Sequence, residues 1–126
     1  MKNIKKYYKI NALPEYVFKA LTNPVTIELW TGSPAIMDDQ AGTEFSLWDG
    51  DISGKNLEVE PDRKLVQEWY FGDQEEASIV TIKLHPDGKG TSVELLHINI
   101  PDDDFVNILE GWDKYYFGAL KELVEE

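Results

Sequence analysis

Apolar and polar residues alternate with period two through the middle of the chain. Leu57 and Val59 alternate with Glu58 and Glu60, while Val80, Ile82 and Leu84 alternate with Thr81 and Lys83. Val93, Leu95 and His97 alternate around Glu94. Successive strand side chains point to opposite faces, so this pattern predicts an antiparallel sheet covered on one face. Runs rich in β-branched and aromatic residues place its strands at 43–48, 55–60, 64–71, 78–85 and 91–100. Turn signals separate them at Asp49-Gly50, Pro61-Asp62, Gly72-Asp73 and Pro86-Asp87-Gly88-Lys89-Gly90. A first strand at 5–10 precedes them and ends at Asn11.

Two segments carry helical spacing instead. Pro14 suits a first helical position, Glu15 complements the positive helix end, and Val17, Phe18 and Leu21 form an apolar face over 14–22. Asn23-Pro24 repeats the logic as cap and start, which predicts a second short helix stopping near Thr31-Gly32. Near the C-terminus, Phe105, Ile108, Trp112, Tyr115 or Tyr116, Ala119 and Leu123 recur at three- and four-residue steps. Asp102, Asp103 and Asp104 offer a cap and favourable charge, and the pattern predicts one helix of about 20 residues. The expected fold is α+β: a curved antiparallel sheet wrapped around a long C-terminal helix, with two short helices after the first strand.

Composition narrows the chemistry. A chain of 126 residues is one ordinary domain, 1–126, and has no Cys, which excludes disulfides, thiolate catalysis and zinc fingers. The net charge is −12. Residues 1–31 hold five Lys against two Glu, whereas residues 32–126 hold seven basic and 22 acidic residues. Such a surface repels phosphate backbones, so no nucleic-acid partner is expected. No apolar run approaches membrane-spanning length, and the basic start lacks the apolar stretch of a signal peptide. A cytoplasmic protein is expected. Oligomeric state is not read from the sequence.

Five stretches resemble the family homologous to the activator of the heat-shock protein 90 ATPase. They are residues 45–54 (Phe45-Ser46-Leu47-Trp48-Asp49-Gly50-Asp51-Ile52-Ser53-Gly54), residues 61–69 (Pro61-Asp62-Arg63-Lys64-Leu65-Val66-Gln67-Glu68-Trp69), and the strand from Gly90-Thr91 to His97. Gly111-Trp112 and Ala20-Leu21-Thr22-Asn23-Pro24 with Trp30 complete the set. The resemblance covers nearly the whole chain and implies the helix-grip, START-like (SRPBCC) fold. That superfamily includes lipid carriers, aromatic polyketide cyclases, hydroxylase subunits and hormone receptors, many with a cavity between sheet and long helix. In the eukaryotic co-chaperone this domain follows another that contributes strongly to ATPase activation, and 126 residues leave no room for that domain.

Candidate sites divide by chemistry. Asp49-x-Asp51-x-Ser53-Gly54-x5-Glu60 fits a relaxed calcium-loop pattern, but strand-like residues flank it where an EF-hand requires helices, so it reads as a Gly-rich turn. His85, beside a turn, reads as a solvent residue. His97 shares a strand face with Val93 and Leu95 and so points inward, either as a hydrogen-bonded core residue or as a polar contact in an apolar cavity. No metal, cofactor or catalytic group is assigned. The aromatics Trp30, Trp48, Trp69, Trp112, Phe45, Tyr115 and Tyr116 fill a core or wall an apolar pocket. Gly111, unfavourable inside a helix, marks close approach or room left open.

The leading expectation is a non-enzymatic binding domain that holds a small apolar ligand, lipid-like or aromatic, between sheet and last helix. Its expected lining is Phe45, Leu47, Trp69, Val80, Ile82, Leu95, His97, Trp112 and Tyr116, with Trp30 closing one end. The second is an interaction module acting on a chaperone partner. The third is a cyclase- or hydrolase-like enzyme built on His97.

Overall fold

The computed structural model describes residues 1–72 and 74–126. Six antiparallel strands form one sheet in the order β1-β6-β5-β4-β3-β2. They are β1 (Lys2–Ile10), β2 (Glu44–Leu47), β3 (Ile52–Glu60), β4 (Lys64–Trp69), β5 (Ser78–Asp87) and β6 (Gly90–Ile100). Helices α1 (Pro14–Thr22) and α2 (Pro24–Thr31) follow β1, and a helical segment from Phe105 to Val124 closes the chain. This is the α+β helix-grip architecture. The expected turn at Gly72-Asp73 lies partly outside the described residues, at Asp73.

Local chemistry explains the element ends. Asn23 Oδ1 accepts the Thr26 backbone N–H at 3.0 Å, which caps α2 directly ahead of Pro24. Gly32 ends α2 in the left-handed conformation at φ 77°. The β5–β6 hairpin is tighter than the five-residue turn signal suggested. Pro86 pairs with Thr91 and Asp87 with Gly90, so only Gly88 and Lys89 bridge the strands.

The inner sheet face and the helices share one core. Val80, Ile82, Val93, Leu95 and Ile100 are fully buried, as are Ile10 and Val17. Alternation holds with one break in β3. The β3–β4 register shifts between Asn56 and Glu58, and this bulge leaves Leu57 exposed while Asn56 is buried. The expected inward position of Leu57 is thus corrected. Asn56 is retained inside because its amide is satisfied. It donates to the Asp38 carbonyl and to Thr43 Oγ1, both at 3.1 Å, and accepts from Gln67 Nε2 at 2.9 Å.

The C-terminal segment also differs from the single α-helix expected. A short 3₁₀ turn at Asp102–Asp104 leads into α3 (Phe105–Gly111) and then a π-turn, Trp112–Tyr116. The chain continues as α4 (Phe117–Val124). No side chain of the Asp102–Asp104 run caps α3. Gly118 accommodates the π-turn, because a Cβ there would run into the Asp113 carbonyl oxygen. The turn is tied to the sheet through Asp113. Its carboxylate accepts from Lys6 Nζ at 2.6 Å and from the Tyr8 hydroxyl at 2.8 Å. Lys6 holds the Asp113 carboxyl below its usual range, while burial and then this carboxylate push the Tyr8 phenol well above its own.

Candidate functional site

An open cleft of about 440 Å³ lies where the end of the sheet meets the π-turn. Its walls come from three places. Trp69 ends β4. Trp48 and Asp51 come from the β2–β3 connection with Ile52 at the start of β3, and Asn107, Ile108, Gly111, Trp112, Tyr115 and Tyr116 come from α3 and the π-turn. A second hollow of about 420 Å³ lies beside α1 and is lined by charged and polar groups such as Glu15, Lys19, Asp38, Asp39 and Asp62.

The aromatic wall is built in contact. The Trp69 and Trp112 rings stack at 4.9 Å, and Trp112 lies 4.5 Å from Tyr116 between ring centroids. Trp30 packs behind this wall at 4.9 Å from Tyr116 and 5.7 Å from Trp48. Three indole N–H groups are tied to the protein. Trp30 Nε1 donates to the Ala20 carbonyl at 2.8 Å and Trp69 Nε1 to Gln67 Oε1 at 3.0 Å. Trp112 Nε1 donates to His97 Nδ1 at 3.1 Å. Gln67 passes the polar chain on to the buried Asn56. The wall is therefore preorganised by hydrogen bonds made on its edges.

Those bonds also determine the tautomer of His97. An indole N–H only donates, so Nδ1 must accept and the ring proton sits on Nε2. Nε2 then donates to Ser78 Oγ at 2.8 Å, and the Ser78 hydroxyl donates to the Ile98 carbonyl at 3.2 Å. Burial lowers the His97 pKa from 6.5 to about 3, which keeps the ring neutral. Both nitrogens are occupied by protein partners, so His97 supports the wall from behind. His85 lies exposed on the outer sheet face, 3.3 Å from Glu94 Oε1, and cannot join His97 around a metal. The calcium-like segment is a strand–turn–strand. Gly54 belongs to β3, where a Cβ would strike the Glu68 carbonyl and the Phe45 ring.

Of the ten residues expected to line a ligand site, Trp69, Trp112 and Tyr116 face the cleft. Phe45, Leu47, Val80, Ile82, Leu95 and His97 are buried in the continuous core, and Trp30 is buried behind Trp48 and Tyr116. The space next to the helix is thus an open cleft at one end of the sheet, while side chains fill the centre. The expected lining left out Asp51, Ile52, Asn107 and Ile108, and also Trp48 and Tyr115, which had stood only among the aromatics that fill a core or wall a pocket. Gly111 was a further signal pointing there: a Cβ on it would meet nothing within 4 Å, so this glycine leaves room at the cleft.

Two features mark the cleft as more than a packing defect. Trp48 and Asp49 both have left-handed backbone, at φ 50° and 55°, directly before Gly50 at φ 97°. A bulky residue at positive φ is strained, and such strain is held only where the surroundings over-determine it. It places the Trp48 ring edge-on to Trp30 and 6.3 Å from Tyr116. The second feature is Tyr116, which is 2% exposed. Its hydroxyl makes no hydrogen bond among the described residues. Tyr116 itself is among the residues that line the cleft. Burial raises its pKa well above the ordinary phenol value, so it remains a protonated donor.

Residues 11–125 match the model of the family described as Activator of Hsp90 ATPase homolog 1-like protein. The chain belongs to that family. Among the family's curated members, the Homo sapiens Activator of 90 kDa heat shock protein ATPase homolog 1 is 28% identical over 111 residues. That alignment covers 86% of this chain and 33% of the human protein. The Dictyostelium discoideum homolog is 30% identical over 123 residues, covering 95% of this chain and 32% of its own length. The chain therefore spans about a third of the curated relatives it matches. Among solved structures, an HSP90 activator from Plasmodium falciparum superposes with a TM-score of 0.87 at 27% identity, covering 98% of this chain and 96% of that one. Protein MLL2253 from Mesorhizobium loti gives 0.83 at 26%, covering 97% and 96%. Among the described residues, no helix is long and apolar enough to cross a membrane.

Proposed function

We propose that this family member is a binding domain that holds a small, largely apolar ligand in the cleft between Trp48, Trp69 and the π-turn. The observation that carries the reading is the Tyr116 hydroxyl. It is a protonated donor on a residue that lines the cleft, and it makes no hydrogen bond among the described residues. Pockets of this kind combine apolar walls with a few placed polar groups that orient the ligand. The anchored indoles supply shape, and Tyr116 supplies direction. Among the described residues no nucleophile–base pair faces the cleft, and His97 has both nitrogens committed to Trp112 and Ser78.

The test follows the four indole N–H signals in a two-dimensional NMR spectrum while a flavone or a monoacylglycerol is added. Signals of Trp48, Trp69 and Trp112 are expected to shift, and Tyr116→Phe is expected to weaken the response several-fold. Unchanged spectra at millimolar probe would end the proposal.

A second reading rests on the comparisons. The relatives named as activators of a 90-kDa heat-shock protein ATPase suggest a chaperone partner, contacted through the acidic surface. Adding the protein to the cognate chaperone and measuring ATP turnover tests it. Unchanged turnover at saturating protein would remove this reading.

A further inference from the structure

We propose that the cleft selects organic cations: ligands with a flat or aliphatic apolar body and a substituted ammonium or aromatic cationic head. This deepens the binding-domain reading and rests on it.

The lining carries the argument. Five aromatic residues (Trp48, Trp69, Trp112, Tyr115 and Tyr116) line one space, whose only acidic group besides the phenols, among the described residues, is Asp51. Among the described residues, no Lys or Arg lines it. Aromatic faces carry negative quadrupole charge and attract cations within about 6 Å, most strongly when the cation is poorly hydrated, as substituted ammonium ions are. The bound indole edges matter here. Trp69 and Trp112 donate their N–H groups to Gln67 and His97, so these positive edges are neutralised by protein acceptors. These two indole edges therefore present no free N–H to a cation in the cleft, and the Tyr116 hydroxyl can turn its oxygen toward one. His97 cannot oppose it, because its ring is held neutral.

Charge outside the cleft acts in the same direction. The nearest lysine on the π-turn, Lys114, is held 2.8 Å from Glu110 and so adds little net field. The whole chain carries −12, which raises the local concentration of cations and repels anions. Asp51 stands exposed at the rim, where it can meet a cationic head without the cost of a buried unpaired carboxylate. A fatty-acid carboxylate or a phosphate, by contrast, would approach Asp51 and the ring faces with the wrong sign of charge.

The experiment compares two isosteric probes: (2-naphthylmethyl)trimethylammonium and its neutral carbon analogue, 2-neopentylnaphthalene. Binding is followed by tryptophan fluorescence and by the indole NMR signals. The cation is expected to bind about tenfold more tightly, in line with a partly desolvated cation–π site. Asp51→Asn and, separately, Trp48→Leu should each narrow that ratio to about threefold or less, with circular dichroism confirming that both variants fold. Equal affinity for the two probes, or tighter binding of the neutral one, would overturn the cation inference and leave the binding-domain reading standing. Binding of neither probe would overturn both.

Discussion

Replacing His97 by Gln tests how the cleft wall is supported. In the native protein the imidazole is fully buried, accepts from Trp112 and donates to Ser78. Gln offers one acceptor and one donor of similar reach but cannot gain a proton. The pKa of His97 is lowered from 6.5 to about 3 by burial, so the folded chain refuses a proton that the unfolded chain accepts. The sign follows directly. The stabilising contribution is complete above about pH 6.5 and is lost as pH falls toward about 3. Each pH unit in that window costs about 1.4 kcal/mol, so about 2 kcal/mol is lost by pH 5 and about 5 kcal/mol in all. Urea unfolding at pH 7, 6, 5 and 4 of both proteins measures it. The carboxylates titrate in both, so the difference between the curves isolates His97. The native protein should lose about 2 kcal/mol more than His97→Gln between pH 7 and 5. Parallel curves would refute the reasoning, whatever the absolute stability of the variant. The His97 ring signals of the native protein provide an independent check: they should not titrate above pH 4.5.

Three further substitutions follow from the same geometry. Gly118→Ala forces a methyl against the Asp113 carbonyl and should cost about 1–3 kcal/mol, read as a lowered thermal midpoint. Gly111→Ala meets only open space in a helical residue, so it should stabilise by up to about 1 kcal/mol in the same melt while narrowing the cleft and weakening any probe bound there. Asn56→Ala leaves the buried Gln67 amide without its acceptor and should cost about 1–3 kcal/mol by urea unfolding. Unchanged midpoints would contradict each of these assignments.

Much of the fold was legible because its signals are local. Asn23-Pro24 set both the end of α1 and the cap of α2 by residue type alone. Val80, Ile82 and Leu84 declared their face through strict alternation, and His97 was placed inward by its neighbours Val93 and Leu95. Asn56 and Leu57 misled for a definite reason. A bulge changes which residues face inward, and only the fit of an amide among Asp38, Thr43 and Gln67 shows why the polar residue is the buried one. These partners lie up to 18 residues away in sequence. The cleft was legible in part. Trp69, Trp112 and Tyr116 follow from strand and helix periodicity, and Gly111 signalled open room. Trp48 and Asp51 were not legible as lining because a left-handed turn aims them, and nothing in Asp49-Gly50 shows that the tryptophan before it shares that conformation. Ile108 shares the helical face of Trp112, whereas Tyr115 beside Tyr116 required the geometry of the π-turn.

A π-turn holds one residue more than an α-turn, so the helix on either side can keep its phase while the turn absorbs the extra residue. Phe117, stacked on Tyr8 at 4.6 Å, and the fully buried Leu120 therefore anchor α4 independently of how many residues the turn contains. Removing one residue among 113–115 would yield an unbroken α-helix whose last turns still dock as they do now. The wall made by Trp112, Tyr115 and Tyr116 would be reset, and with it the tie from Asp113 to Lys6 and Tyr8. The turn thus works as a splice point, where the shape of the recess can be edited by a single insertion or deletion while α4 keeps its own anchors.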